Sequence, residues 1–193
     1  MNNYIKIPYA SAIDVLALFD PSEEIIELAE AHHGIDDFVE QMRERQWNIE
    51  LTMFFAHALP LREAIWWGYQ CLSSRDDWDH DEHHAILSAK LWVENPDEHH
   101  RRHAELMMKN VGLDAAPGWI AQAVFWSGGS ITPKGEPSTE PPLYLYAKAV
   151  AGAVNLCAIL PDGEHKEDRF AYYCKMALNI ARGGNGIAEA IKA

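Results

Sequence analysis

Apolar residues recur at intervals of three and four along most of this chain, the spacing of helices rather than the strict alternation of half-buried strands. The densest apolar stretch is residues 51–71, LTMFFAHALPLREAIWWGYQC, with a proline near its middle. Proline lacks a backbone N–H and fits best at the first position of a helix. The pattern therefore predicts one helix ending near Ala58 and a second beginning at Pro60. In the second, Ile65, Trp66 and Tyr69 keep helical spacing, and Trp67 with Cys71 forms a parallel stripe. A helix apolar over so much of its circumference is enclosed on several sides, so the other helices are expected to lie against it.

Helix-start signals recur through the rest of the sequence. Asp20-Pro21-Ser22-Glu23 offers an N-cap, a proline for the first position and a carboxylate beyond it. Ile25, Leu28 and Ala29 follow with helical spacing, and Gly34 is read as the end of that helix. A helix around residues 36–45 is predicted next, leading into the 51–71 segment. Asp79-His80-Asp81-Glu82 opens another, reaching about Val93. Asn95-Pro96-Asp97-Glu98 starts the next, which Gly112 stops, and Asp114 to Pro117 begins one that runs to Trp126. Two more are predicted over 143–160 and about 164–182, with Gly183-Gly184-Asn185-Gly186 ending the last and leaving a short tail. The fold class is all-α, a compact bundle of about eight to ten helices.

Residues 127–142, SGGSITPKGEPSTEPP, interrupt the series. Twelve of these sixteen are Gly, Pro, Ser or Thr, so no regular element is expected there. The 51 residues beyond them read as a helical hairpin, too small to bury a core alone. The break is therefore read as a long loop inside one all-α domain spanning residues 1–193.

The apolar stretch 143–160, LYLYAKAVAGAVNLCAIL, raises the question of a membrane span. Lys148 and Asn155 stand seven apart, share a helix stripe and are expected to face water together. Burying that lysine in hydrocarbon would cost about 2.5–3.5 kcal/mol. Ala147, Ala149, Ala151, Gly152 and Ala153 instead suit close helix packing, and no membrane partner is expected. The opening residues MNNYIKIPYA lack the basic and apolar regions of a secretory signal, so a cytoplasmic location is expected.

Composition narrows the partners. The formal charge is −13, from 29 acidic and 16 basic side chains. Phosphate backbones are bound by neutralisation with Lys and Arg, so this balance argues against nucleic acid and against anionic membranes. Residues 1–40 hold nine Asp or Glu and one Lys. That stretch is either a solvated face or a docking surface for a basic partner. The three cysteines, at 71, 157 and 174, are odd in number and lack ligand spacing. They read as core thiols in a reducing compartment.

The histidines carry the main chemical alternative. Asp81-Glu82-His83-His84 and Asp97-Glu98-His99-His100 share the tetrapeptide DEHH. His80 with His84 and His99 with His103 stand at i, i+4, so each pair projects from one helix face. On neighbouring antiparallel helices the four are a candidate tetrahedral metal site, possible in a hydrolase. Against this, both clusters lie at helix starts, where Asp and Glu are favoured by the helix dipole. His84 shares a stripe with Leu87 and Leu91, and His100 with Ala104 and Met107, positions expected to look inward. His57 and Cys71 would make a nucleophile pair only if the fold brought them together. Arg62 and Glu63 are expected to pair with charges at the start of the central helix, or Arg62 to reach the Gly128-Gly129 loop. No phosphate-binding glycine motif and no G-x-S-x-G elbow is present. No catalytic residue, metal ligand or cofactor is assigned.

His57-Ala58-Leu59-Pro60-Leu61-Arg62-Glu63-Ala64-Ile65-Trp66-Trp67 resembles the ALP-x-REA-x-WW signature of a bacterial helical family of unknown function. The likeness continues through Trp92-Val93-Glu94-Asn95-Pro96, Arg101-Arg102 and Phe125-Trp126-Ser127-Gly128-Gly129-Ser130, and ends at about Val154. Members of that family look like companions of type VI secretion gene clusters, and the resemblance implies no activity, cofactor or catalytic residue. Together these readings favour a non-enzymatic protein-interaction module, an accessory, adaptor or chaperone-like protein of type VI secretion. The alternative is a metal-binding helical protein using His80, His84, His99 and His103. Self-association is a third possibility if the seven tryptophans leave an aromatic patch exposed.

Overall fold

In the computed structural model, which describes residues 4–133 and 135–187, the chain forms ten α-helices, with no strand among those residues. They are α1 (Ala12–Leu16), α2 (Glu23–Ala31), α3 (Ile35–Glu44), α4 (Asn48–Ala58) and α5 (Leu61–Ser73). After these come α6 (His80–Glu94), α7 (Glu98–Val111), α8 (Ala116–Phe125), α9 (Leu145–Ile159) and α10 (Lys166–Ala181). The short tail expected after Gly186 lies, from residue 188 on, outside the described residues.

Local chemistry accounts for most of the boundaries. Leu59 and Pro60 are both extended, so α4 stops at Ala58 and Pro60 becomes the N-cap of α5 rather than its first residue. Asp79 accepts from the Glu82 N–H at 2.9 Å and its own N–H donates to the Glu82 carboxylate, a capping box that starts α6. Asp97 caps α7 by accepting from the His100 N–H, and Gly112, at φ +81°, ends it in a conformation few other residues adopt. Two details differ from the sequence reading. Ser22, not Pro21, stands at the junction with α2, and Gly34 is the N-cap of α3 rather than the stop of α2, which closes at His32. Helix α1 has no counterpart among the predicted elements. Its five residues are too few to show periodicity, although Ser11 and Asp14 form a capping box across its start.

The central segment sits where its composition requires. Helix α5 touches α4, α6, α8, α9 and α10, and α9 touches α4, α5, α8 and α10. Trp67 and Cys71 are buried, while Trp66 and Tyr69 are half-buried. Small residues let these helices approach. A methyl group on Gly68 would stand 2.5 Å from Ile120 Cδ1 of α8, and Gly152 of α9 lies against the Trp119 indole. The apolar surface of α9 is therefore covered by protein, and no helix among the described residues is long and apolar enough to cross a membrane. Lys148 faces water, but Asn155 is half-buried with its Oδ1 enclosed. The two do not face water together, because the neighbouring helices cover α9 unevenly along its length.

All three cysteines are free and buried. Every tryptophan is buried or half-buried, and none is among the exposed large hydrophobic side chains. The indole N–H groups of Trp66, Trp67, Trp78 and Trp119 donate to the carbonyls of Asn185, Tyr173, Leu72 and Leu113. That bonding lets these four large amphipathic rings pack with their donors paired.

Candidate interaction surface

The feature that most distinguishes this bundle is the way α7 holds the loop that follows α8. Arg101 is buried, with its side chain 4% exposed. Its guanidinium forms a fork on the Glu98 carboxylate, Nε to Oε2 at 2.6 Å and Nη2 to Oε1 at 2.7 Å. Its remaining donors reach the Phe125 carbonyl at 2.7 Å and the Ser130 carbonyl at 2.9 Å. Arg102 donates to the Ser130 and Thr132 carbonyls at 2.8 and 2.9 Å, and to Glu98 and Glu105. Both guanidinium groups lie over the Phe125 ring, at 5.0 and 5.4 Å. Planar guanidinium suits this work because its five donors form a fixed fork. The Arg101 and Arg102 side chains hold Glu98 well below the usual carboxylate range, at about 2.

The loop completes this arrangement from its own side. Gly129 has φ +64°, and a methyl group there would stand 3.2 Å from Arg101 Nε. Ser130 Oγ meets Thr132 Oγ1 at 2.6 Å and accepts from the Thr139 N–H, and the Ile131 N–H donates to the Thr139 carbonyl. The base of the loop is thus closed on itself, while residues 135–140 and Leu143 are exposed. At its far end Tyr144 takes φ +59°, rare for a bulky residue. Its ring lies beside those of His57 and Tyr146, and its hydroxyl is 3.4 Å from that of Tyr9.

The residues singled out in the sequence fall elsewhere. Arg62 donates to the Val93 carbonyl at 2.5 Å, tying the start of α5 to the end of α6, so the contact with the Gly128-Gly129 loop belongs to Arg101 and Arg102 instead. Glu63 pairs with Lys6 at 2.8 Å. Both line a cavity of about 480 Å³ with Trp66 and the Gly183-Gly184 turn.

The histidines are not brought together. His80 and His84 do share a face, with ring centroids 4.2 Å apart, and both are exposed. His99 is exposed, and His100 is half-buried against the Asp97 carboxylate at 2.8 Å. The DEHH clusters begin two successive helices joined by a three-residue turn and packed on each other. The start of α7 therefore lies beside the end of α6, about 20 Å along the axis from the first cluster. Among the described residues no three His, Cys, Asp or Glu side chains gather closely enough to hold a metal ion. Of the stripe expected to look inward, His84 and Leu91 are exposed and only Leu87 is half-buried.

His57 is buried to 1% exposure. Its Nδ1 is 2.8 Å from the Met53 carbonyl, which makes it the protonated donor, and Nε2 is enclosed without a partner. Phe19 lies on the ring, with centroids 4.6 Å apart. Burial first, then the nearby Lys148 charge, hold the imidazole below its ordinary pKa. The unfolded chain therefore binds a proton more readily than the folded one. The stability this residue contributes is present above about pH 6.5 and lost as pH falls below it. In urea titrations, wild type is expected to lose up to about 1.4 kcal/mol more per pH unit below that point than His57→Phe. Equal slopes for the two proteins would show that His57 is not the titrating group. Cys71 contacts Met176 Sδ at 3.9 Å, and burial pushes its thiol far up, so it forms no activated pair with His57.

Sequence reasoning missed the roles of Arg101 and Arg102. The available signal was an arginine pair flanked by Glu98 and Glu105 on one helix, but the loop carbonyls it holds are about thirty residues away.

Comparisons with curated proteins and with solved structures returned no match. Residues 38–181 match the model of a family of unknown function (DUF6931), a span wider at both ends than the likeness read from the motifs. It takes in α4 to α10 and the arginine-held loop, and the chain belongs to that family.

Proposed function

We propose that this chain, as one domain over residues 1–193, is a non-enzymatic protein-interaction module, an accessory adaptor or chaperone-like protein of a type VI secretion system, working in the cytoplasm. The observation that carries this reading is the loop after α8, fastened from within by Arg101 and Arg102 while residues 135–140 stay exposed. A loop ordered before binding loses less entropy when a partner takes it, and rigid scaffolds commonly present their recognition residues in this way. The secretion role rests on the resemblance of the ALP-x-REA-x-WW and FWSGGS motifs.

Chemistry elsewhere supports a binding rather than a catalytic role. Thiolate is the reactive form of cysteine. All three thiols are buried and pushed up, Cys174 to about 11. The one fully buried imidazole has its Nδ1 committed to a backbone carbonyl.

A photo-crosslinking residue placed at Ser138 in the native host tests the reading. One discrete protein adduct is expected, together with impaired secretion when residues 135–140 are replaced by Gly and Ser at equal length. No adduct, combined with normal secretion after deletion of the gene, would overturn it.

A further inference from the structure

A second surface lies apart from the loop, where the turn between α1 and α2 faces the start of α4. Phe19, Pro21, Ile25, Ile49 and Met53 line a groove of about 360 Å³ there. Ile49 is half exposed, and Ile26, which follows Ile25 on α2, is 38% exposed. The same groove is edged by Asp20 and Glu50, and Lys148 is the one cation among its described lining residues. From Ser22 at its margin, α2 continues with Glu23, Glu24, Glu27 and Glu30, all exposed. No Lys or Arg occurs between Lys6 and Arg43.

From this juxtaposition we infer that the groove binds a basic amphipathic helix of another protein. Its apolar side chains would fill the space between Phe19, Ile25 and Met53, at the i, i+3 or i+4 spacing by which helices enter grooves. Its Lys and Arg side chains would meet Asp20, Glu23, Glu24 and Glu50. Charge selects this occupant over a second copy of the chain, because two such acidic faces repel at an interface. An acidic segment is disfavoured for the same reason. The inference does not depend on the loop, so either surface can fail without the other.

The probe is a synthetic helix of about 18 residues with a leucine stripe and lysine flanks, compared with its leucine–glutamate counterpart. Binding is followed by fluorescence anisotropy and mapped by amide hydrogen exchange. The lysine peptide is expected to bind and to slow exchange in residues 18–26 and 47–53, and the glutamate peptide is not. Ile49→Asp, and Glu23→Lys combined with Glu24→Lys, should each weaken binding about tenfold or more. Ile49 is half exposed, and Ile49→Asp should melt like wild type. The double lysine variant places cations in the first turn of α2 and should melt lower while staying folded, which circular dichroism checks. Absence of binding, a footprint elsewhere, or affinity unchanged by Ile49→Asp would overturn the inference. So would sedimentation showing a dimer that Ile49→Asp dissociates, since the occupant would then be a second copy.

Discussion

Gly118→Ala is expected to destabilise the protein by about 3 kcal/mol or more, measured as a fall in the urea or thermal midpoint. Gly118 lies in the first turn of α8, where the chain has just turned back from the end of α7. A methyl group there would stand 1.7 Å from the Gly112 carbonyl oxygen and 2.8 Å from its carbon. Those are backbone atoms, in a residue already held at φ +81°, so no side chain can rotate aside. The whole α7–α8 corner would have to open, and the Trp119 N–H bond to the Leu113 carbonyl at 2.8 Å opposes that. Against a total stability of about 5–15 kcal/mol, such a loss is severe. Gly152→Ala is the internal comparison. Its added methyl group meets the Trp119 ring at 3.7 Å, an ordinary contact. Alanine in a helix interior should then gain about 0.5–1 kcal/mol. If the two variants melted alike, the close approach at Gly118 would not be real.

Arg101→Met carries the other large effect, about 2 kcal/mol, chiefly from the carbonyl left unpaired. Methionine approximates the length of the arginine stem but leaves the Phe125 carbonyl without its donor and breaks the fork on Glu98. The Ser130 carbonyl keeps Arg102, so the loop should loosen rather than detach. Limited proteolysis within residues 127–142 reads that loosening directly. The acid limb should change as well. The folded carboxyl of Glu98 lies at about 2, below its ordinary 4.5, so its contribution is present above that value and fades as pH falls toward 2. Losing Arg101, its first partner, should shrink this dependence. The shrinkage will be modest, because the Glu98 side chain is 62% exposed and solvent screens the pair. A variant with unaltered midpoint and cleavage pattern would refute the anchoring role of Arg101, and with it the main support for the interaction reading.

The two glycines and two arginines show which features the sequence made legible. Gly112 as a helix stop was readable because a left-handed residue after a periodic run is a local signal. Gly118 carried no such mark, since the atom it must avoid belongs to the preceding helix. Arg101 and Arg102 announced their ion pairs with Glu98 and Glu105 through spacing, but not the loop carbonyls beyond. The histidines mark the limit of local spacing. Their i, i+4 spacing did put His80 beside His84, yet a hairpin of two helices sets the two helix starts at opposite ends. Five-residue α1 stayed invisible because a single turn has no period to detect.

By itself, then, the order of residues determined that this protein is helical, where most helices begin and end, that α9 packs in protein rather than lipid, and that the N-terminal stretch is acidic. The helix positions follow from interactions spanning four residues or fewer and the acidity from simple sums of charge, while the placing of α9 came from its small residues and its one lysine. Which surfaces face one another was decided only by tertiary packing. That packing seats a basic pair on the backbone of a distant loop, parts the two DEHH clusters, and sets an apolar groove beside a stretch of carboxylates that holds no Lys or Arg. The reason is geometric: contacts between helices depend on crossing angles and loop paths, to which local spacing is blind.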